Sequence, residues 1–289
     1  MDSFKKGIRL IFRIYKVFLL YYVFVSLIAA LIIIPIVVIF IKDLAATITA
    51  ESLIKNFNPV VIFENLRSNH SGLMYHYWPY LLIAIFAFII GALLFSGGAL
   101  SSYYMRKNSF TNFFIEAITH FGAIIRGFLY MIPVYFLALV IFYLISLFRW
   151  EYVYEKGWEN IYYIVQLISV VILIFLLNFI SMLFDYLRIH LIINHERKAL
   201  IGFKRSFSFV FSYMKKTMGL FYLISFAELL AILLFYVLKN MLHTYTMFTI
   251  LLYALIAQFG IIIRILGRLA KYASQQVLYQ DLYKGENVI

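Results

Sequence analysis

Apolar residues in this chain come in long unbroken runs, not in the spacing of a half-buried helix or the alternation of a half-buried strand. Six runs stand out, at about 17–41, 78–98, 123–148, 161–184, 218–238 and 246–266. A bilayer's hydrocarbon core is about 30 Å thick and takes roughly 20 helical residues to cross, so each run predicts one transmembrane helix. The runs are too long for β-barrel strands, which need only about 10 residues each.

Periodicity returns between the runs. Residues 202–216, GFKRSFSFVFSYMKK, are too charged to cross a bilayer and too apolar for an ordinary loop. At about 100° per residue, Phe203, Phe207, Val210, Phe211 and Met214 fall on one arc, and Lys204, Arg205, Ser208, Ser212 and Lys215 on the other. That is the pattern of a basic amphipathic helix lying in the membrane interface. Phe4, Ile8, Ile11, Phe12 and Tyr15 give the same wheel, as do Phe110, Phe114, Ala117, Ile118 and Phe121. Phe4, Phe110 and Phe203 correspond, as do Ile8, Phe114 and Phe207, at spacings of 106 and 93 residues. Each predicted interfacial helix precedes an odd-numbered run.

The predicted fold class is therefore all-α, a polytopic membrane protein with six transmembrane helices. They are arranged as three parallel repeats of interfacial helix plus transmembrane hairpin, an even number of spans per unit making the repeats parallel. Within a single membrane domain of residues 1–289, repeat 1 covers about 1–98, repeat 2 about 106–184 and repeat 3 about 199–266, with a cytoplasmic tail at 267–289. The alternative is that a sequence rich in Phe, Ile and Lys yields such wheels by chance.

Composition agrees with the runs: 65% of residues are apolar, 13% are charged and the mean hydropathy is +0.94, whereas a soluble domain is nearer half apolar. The basic start MDSFKKGIRLIFRIYK precedes an apolar run too long for a signal peptide, so it reads as retained. The chain has no cysteine, which excludes disulfides and thiolate metal sites. Of its 25 Lys and Arg residues, 19 fall on segments sharing a side with the N-terminus and six on the other side. Cytoplasmic segments carry the excess of cations, so both termini are predicted to be cytoplasmic.

The net charge of +12 then faces anionic headgroups. The expected partner is the lipid bilayer with anionic headgroups at that face. Lys5, Arg9, Lys204, Arg205, Lys215 and Lys216 are the expected headgroup-binding residues, and Phe4, Phe12, Phe110, Phe114, Phe203, Phe207 and Phe211 the interfacial lipid-facing ones. Other membrane subunits are further candidate partners. Nucleic acid is not, because the cations flank spans instead of covering a separate domain.

Catalytic motifs are missing. There is no Gly-rich phosphate loop with a following Lys, no HExxH and no nucleophile elbow. His190 and His195, five apart, do not share a helix face, and the NHS sequon at Asn69 matters only where the source glycosylates. No cofactor and no enzymatic activity are expected. Glu228, in SFAELLAILLF, is the one carboxylate in the middle of a run, and Gln258 is its expected hydrogen-bonding partner. A carboxyl at that depth either moves protons or gates a solute, or is a neutral pin between spans; the pin is preferred. Asn178 and Ser181 are expected to bond between helices. Gly91, Ser96, Gly97 and Gly98 offer small faces for close packing, and Pro35 and Pro133 are expected kinks. Asp185 and Arg188 are three apart on one helix face and predict a juxtamembrane clasp between the fourth span and the interfacial helix after it.

The segment FDYLRIHLIINHERKALIGFKRSFSFVF, with RLAKYASQQVLYQ after the last run, resembles a group of bacterial six-span proteins of unassigned function. These are similar to the membrane domain of membrane-anchored glycerophosphodiester phosphodiesterases. Asp185, Tyr186 and Arg188 match a grouping that ends the fourth span in such proteins. The resemblance covers about 40 residues and implies a bacterial cytoplasmic (inner) membrane. The soluble catalytic domain of those relatives has no counterpart here, so their activity is not carried over. The expected function is a non-enzymatic accessory or scaffold role, organising a membrane complex or the bilayer. The alternative is a small carrier or channel for a lipid or small solute, with Glu228 in the pathway. The cation count generates one direct test: a reporter fused after Ile289 is expected to be active in its cytoplasmic form, and activity confined to the external form would refute the orientation.

Overall fold

The structure, a computed structural model, describes residues 2–47, 70–149, 159–240 and 247–286. Among these the regular structure is helix, with no strand. The helices are α1 (Asp2–Arg13), α2 (Tyr15–Thr47), α3 (His70–Met105), α4 (Phe110–Arg149), α5 (Glu159–Ile193), α6 (Ala199–Ser212), α7 (Met214–Asn240) and α8 (Met247–Glu286). Five of them, α2, α3, α4, α5 and α7, contain stretches long and apolar enough to cross a membrane. This is the make-up of a multi-pass membrane protein. The sixth run forms the first half of α8 and begins outside the described residues, as does the sequon Asn69.

The chain divides into two compact units, Leu20–Ala92 and the remainder. In the smaller unit, α2 and α3 meet where Gly91 lets the ring of Phe24 close onto the backbone, and Phe24 stacks on Phe88 with centroids 6.2 Å apart. In the larger unit, burial is concentrated at one end of the helices. Buried residues cluster at 99–103, 182–192 and 269–279 and along the inner faces of α1, α6 and the start of α4. Away from that end the helices expose Leu, Ile and Phe on most of their circumference, as apolar helices do where lipid is the solvent.

Three corners build the packed end, each around a small side chain. Gly98 of α3 sits on Phe113 of α4, where an added Cβ would stand 2.8 Å from the Phe113 carbonyl oxygen. Gly202 of α6 sits under Leu191 and Leu187 of α5, and Gly7 of α1 lies directly on Ser274 of α8. The chain makes the first two corners with the same backbone device. Arg106 and His195 end α3 and α5 in the left-handed region, with φ of 55° and 47°. The next amide then bonds back to the carbonyl five residues earlier, Lys107 to Ser102 and Glu196 to Leu191, which is a Schellman cap. The following helix starts four residues after the left-handed residue in both cases.

Several expectations are corrected by this arrangement. The predicted interfacial helix at 110–121 is not separate but is the first part of an unbroken α4. Nothing there stops the helix, since a lone Gly122 costs only about 1 kcal/mol in a helix interior. By contrast, α1 and α6 do end at turns, at Ile14 and Tyr213. Close contacts between consecutive helices lie at 98–113 and 187–202 and at 97–117 and 186–206, 89 residues apart in each case.

The described part of the predicted tail, 267–286, belongs to α8 and includes its most buried residues, with Leu269, Ala273, Ser274 and Gln275 fully enclosed. The faces of α6 also differ from the two-sided wheel. Ala199, Gly202, Ser206, Phe209 and Val210 are buried, Phe203 and Phe207 are half-buried and Phe211 is exposed. The helix is three-sided, with a narrow small-residue stripe inward, an aromatic stripe beside it and the cations outward. The corners predict unequal costs for similar changes. Gly98→Leu is expected to lower stability in detergent by about 1–3 kcal/mol through overpacking. Gly122→Ala, with nothing within 4 Å of the new Cβ, is expected to be neutral or stabilising in the same thermal unfolding assay.

Candidate functional site

The buried polar residues of the larger unit converge where α5 crosses α8. Asp185 and Arg188, one helical turn apart on α5, form an ion pair at 3% and 1% exposure. Arg188 also donates from Nη1 to the Tyr272 hydroxyl of α8 at 2.9 Å, and its guanidinium lies over the ring of Phe184, 4.3 Å from the centroid. With its amide turned to satisfy both ends, Gln275 donates to the second carboxylate oxygen of Asp185 at 3.3 Å and to the Lys271 carbonyl at 3.2 Å. Arg268 donates from Nε to the same Tyr272 hydroxyl, also at 2.9 Å. Tyr135 of α4 lies within the electrostatic reach of Asp185, Arg188 and Arg268.

The predicted clasp therefore exists, but its far side is α8 and not the helix that follows the fourth span. That helix is held by other groups: Ser206 bonds the Tyr186 carbonyl at 3.4 Å, and Phe209 packs on Tyr186 and Tyr279. His190 binds the Tyr279 hydroxyl at 2.7 Å, with Asn194 beside it, so this histidine is spent on the α5–α8 contact. His195 stacks on His120. The Asn178 amide bonds the Ile174 carbonyl of its own helix at 2.9 Å, not a neighbouring one.

The second correction concerns Glu228. Its carboxylate is ion-paired with Lys271 at 2.9 Å, with both side chains less than one-fifth exposed, and it lies across Gly267. Gly260 lies against Phe235. Seven residues forward on α7 are thus seven residues back on α8, which fixes an antiparallel register. In that register Gln258 stands opposite Val237, nine residues from Gly267, or about 13 Å along the helix axis at 1.5 Å per residue. The expected Glu228–Gln258 pair is excluded by this register.

The register has a larger consequence. The run at 218–238 faces residues 257–277 of α8, so Arg264, Arg268 and Lys271 stand beside the apolar run of α7 and not beyond it. Sequence reasoning missed them because residues from 264 onward were counted with the cytoplasmic cations. The readable signal was the spacing of Arg264, Arg268 and Lys271, four and then three residues apart, with Tyr272 four beyond Arg268 on the same helical arc.

The remaining predicted residues lie mostly on the surface. Lys5, Arg9, Lys204, Arg205, Lys215 and Lys216 are all exposed; Phe12, Phe110 and Phe114 are exposed, and Phe4 is half-buried. Lys6 additionally pairs with Asp281 at 3.2 Å, tying α1 to α8. Among the described residues, no group of three or more His, Cys, Asp or Glu could hold a metal ion. Compared with known protein families, curated proteins and solved structures, the chain matches none.

Lys271, a cation, is the partner of Glu228, so an amide at 228 cannot replace the carboxylate without leaving an ammonium less than one-fifth exposed. Glu228→Gln and Lys271→Gln are each expected to destabilise, and the double variant is expected to recover a coupling of about 1 kcal/mol. Gln258→Leu is expected to leave that coupling unchanged. Strict additivity of the two charge removals in detergent unfolding would refute the pair.

Proposed function

We propose that the chain is a non-enzymatic integral membrane protein of the bacterial cytoplasmic membrane. Its basic, aromatic face organises the bilayer or a membrane complex, with both termini cytoplasmic. The observation that carries this reading is the sidedness of α1 and α6. Each packs one face into the protein and exposes cations on another, so Lys5, Arg9, Lys204 and Arg205 are presented outward from a fixed base, with Lys215 and Lys216 exposed just beyond, at the start of α7. Near-surface cations are worth about 1 kcal/mol each against anionic lipid. The orientation does not depend on the cations that the register moves beside α7. Removing those three from the 19 leaves 16 against six.

Six spans in three parallel repeats complete the reading. Its support is the burial pattern: Gly7, Phe113 and Gly202 occupy equivalent corner positions and are buried, and four residues on Ile11, Ala117 and Ser206 are buried as well. The likeness to the membrane domain of glycerophosphodiester phosphodiesterases belongs to the same proposal. It rests on Asp185, Tyr186 and Arg188, which are all fully buried at the α5–α8 crossing.

A second reading, a small carrier or channel for a lipid or small solute, is favoured by the largely buried Glu228–Lys271 pair beside an apolar run. One reconstitution tests both. In vesicles containing labelled phosphatidylglycerol, the wild type is expected to cluster the anionic lipid, and a variant with all six outward cations changed to Gln is expected not to. Clustering that survives the six changes would refute the scaffold reading. A flux that the wild type carries and Glu228→Gln abolishes would put the carrier in its place.

A further inference from the structure

We infer that the stacked imidazoles of His120 and His195 form an acid-sensitive latch, which holds the turn between α5 and α6 against α4 and loosens when both rings are protonated. The inference goes beyond the scaffold and carrier readings and depends on neither.

The register of α4 against α5 brings the two rings together. Gly127 of α4 faces Leu187 and Leu191 of α5, so His120, seven residues back from Gly127, comes opposite the end of α5. There His195 holds the left-handed position of the cap, with φ of 47°. Its ring lies on that of His120, with centroids 5.6 Å apart and planes 29° from parallel.

The surroundings of the two rings differ. His120 is 6% exposed, whereas His195 is at the surface. The Nε2 of His120 makes no hydrogen bond among the described residues and lies 3.4 Å from a carboxylate oxygen of Glu116, one turn earlier on α4. Glu116 and His195 are the charged or titratable groups among the described residues that bear on His120. Beside His195, Glu196 accepts from the Lys198 amide at 3.1 Å, and Arg197 and Lys198 are exposed. Glu196 and Arg205 of α6 also bear on His190.

One carboxylate thus faces two imidazoles. Near neutral pH the rings are uncharged and stack, since an ordinary imidazole titrates at about 6.5. A first proton, on His120, is matched by Glu116, which offsets the burial of that charge. A second, on His195, finds Glu196 engaged at the start of α6 and is repelled by the first across 5.6 Å. In the unfolded chain the two imidazoles are apart and each takes up its proton freely. The folded chain therefore binds fewer protons in acid, and its stability falls as pH drops through the imidazole range. The element released is α6, which follows the turn directly and lies against Leu191 of α5 through Gly202 and against Tyr130 of α4 through Phe203.

The test is the thermal unfolding of the full chain in a neutral detergent at about pH 7.5 and about pH 5, either side of the imidazole range, with amide hydrogen exchange followed at both. The wild type is expected to unfold several degrees lower in acid, and the amides of 194–202 are expected to lose protection before those of 183–186. His120→Phe keeps a ring in the stack but cannot titrate, and His195→Asn suits the left-handed backbone. Each is expected to remove most of the acid shift. Glu116→Gln is expected to enlarge it, a response that a merely structural ring contact would not give. No acid shift in the wild type, or a full shift in both histidine variants, would overturn the latch. So would a shift that only His190→Gln removes, which would assign the acid sensitivity to the His190–Tyr279 contact. Unaltered protection at 194–202 in acid would equally overturn it.

Discussion

The ion pair between Asp185 and Arg188 is the constraint on which the arrangement of the larger unit depends. Two charges at 3% and 1% exposure have given up most of their hydration, and their mutual attraction offsets that loss only if the remaining hydrogen-bonding positions are also filled. Tyr272 and Gln275 of α8 fill them. Neither is reachable from α5 itself, so the pair is satisfied only when α8 lies against α5 in one register. The contact between α5 and α8 is therefore specified by chemistry, where the apolar faces of two membrane helices would slide past each other with little change in energy.

Once α8 is fixed on α5, its relation to α7 follows. Gly267 admits Glu228, and Lys271, one turn further on, meets the carboxylate at 2.9 Å. The same register draws Arg264 and Arg268 beside the apolar run of α7. A polar crossing in α5 thus determines where cations sit on another helix, and the two ion pairs are linked through only three residues of α8, from Lys271 through Tyr272 to Gln275.

Much of this was legible in the chain, but selectively. The existence and length of the spans could be read because a run of about 20 apolar residues has few other uses. The exposed arcs of α1, α4 and α6 could be read because charge and aromatic residues mark them. What could not be read was the face each of these helices turns inward. Gly7, Gly202 and Ser206 carry almost no hydrophobic signal, so a wheel weighted by apolarity overlooks them. The corner contacts also exchange partners: at one corner the glycine is on the span and the bulky residue on the next helix, at the other the reverse. Contacts between consecutive helices are then made by unlike residues, and matching Phe to Phe along the chain does not find them. Gln258 was chosen as the partner of Glu228 because both lie near the middle of their apolar runs, and the observed register offsets those two middles.

The cations of α8 show how one residue type serves two opposed inferences. Counted along the chain, Arg264, Arg268 and Lys271 mark the end of a span and add to the cytoplasmic excess. Placed by the register, they stand beside the apolar run of α7, where a cation is costly without a partner. Lys271 has Glu228. Arg268 is turned toward Tyr272 and, through it, toward Arg188, so its guanidinium is oriented by the same network that fixes α8.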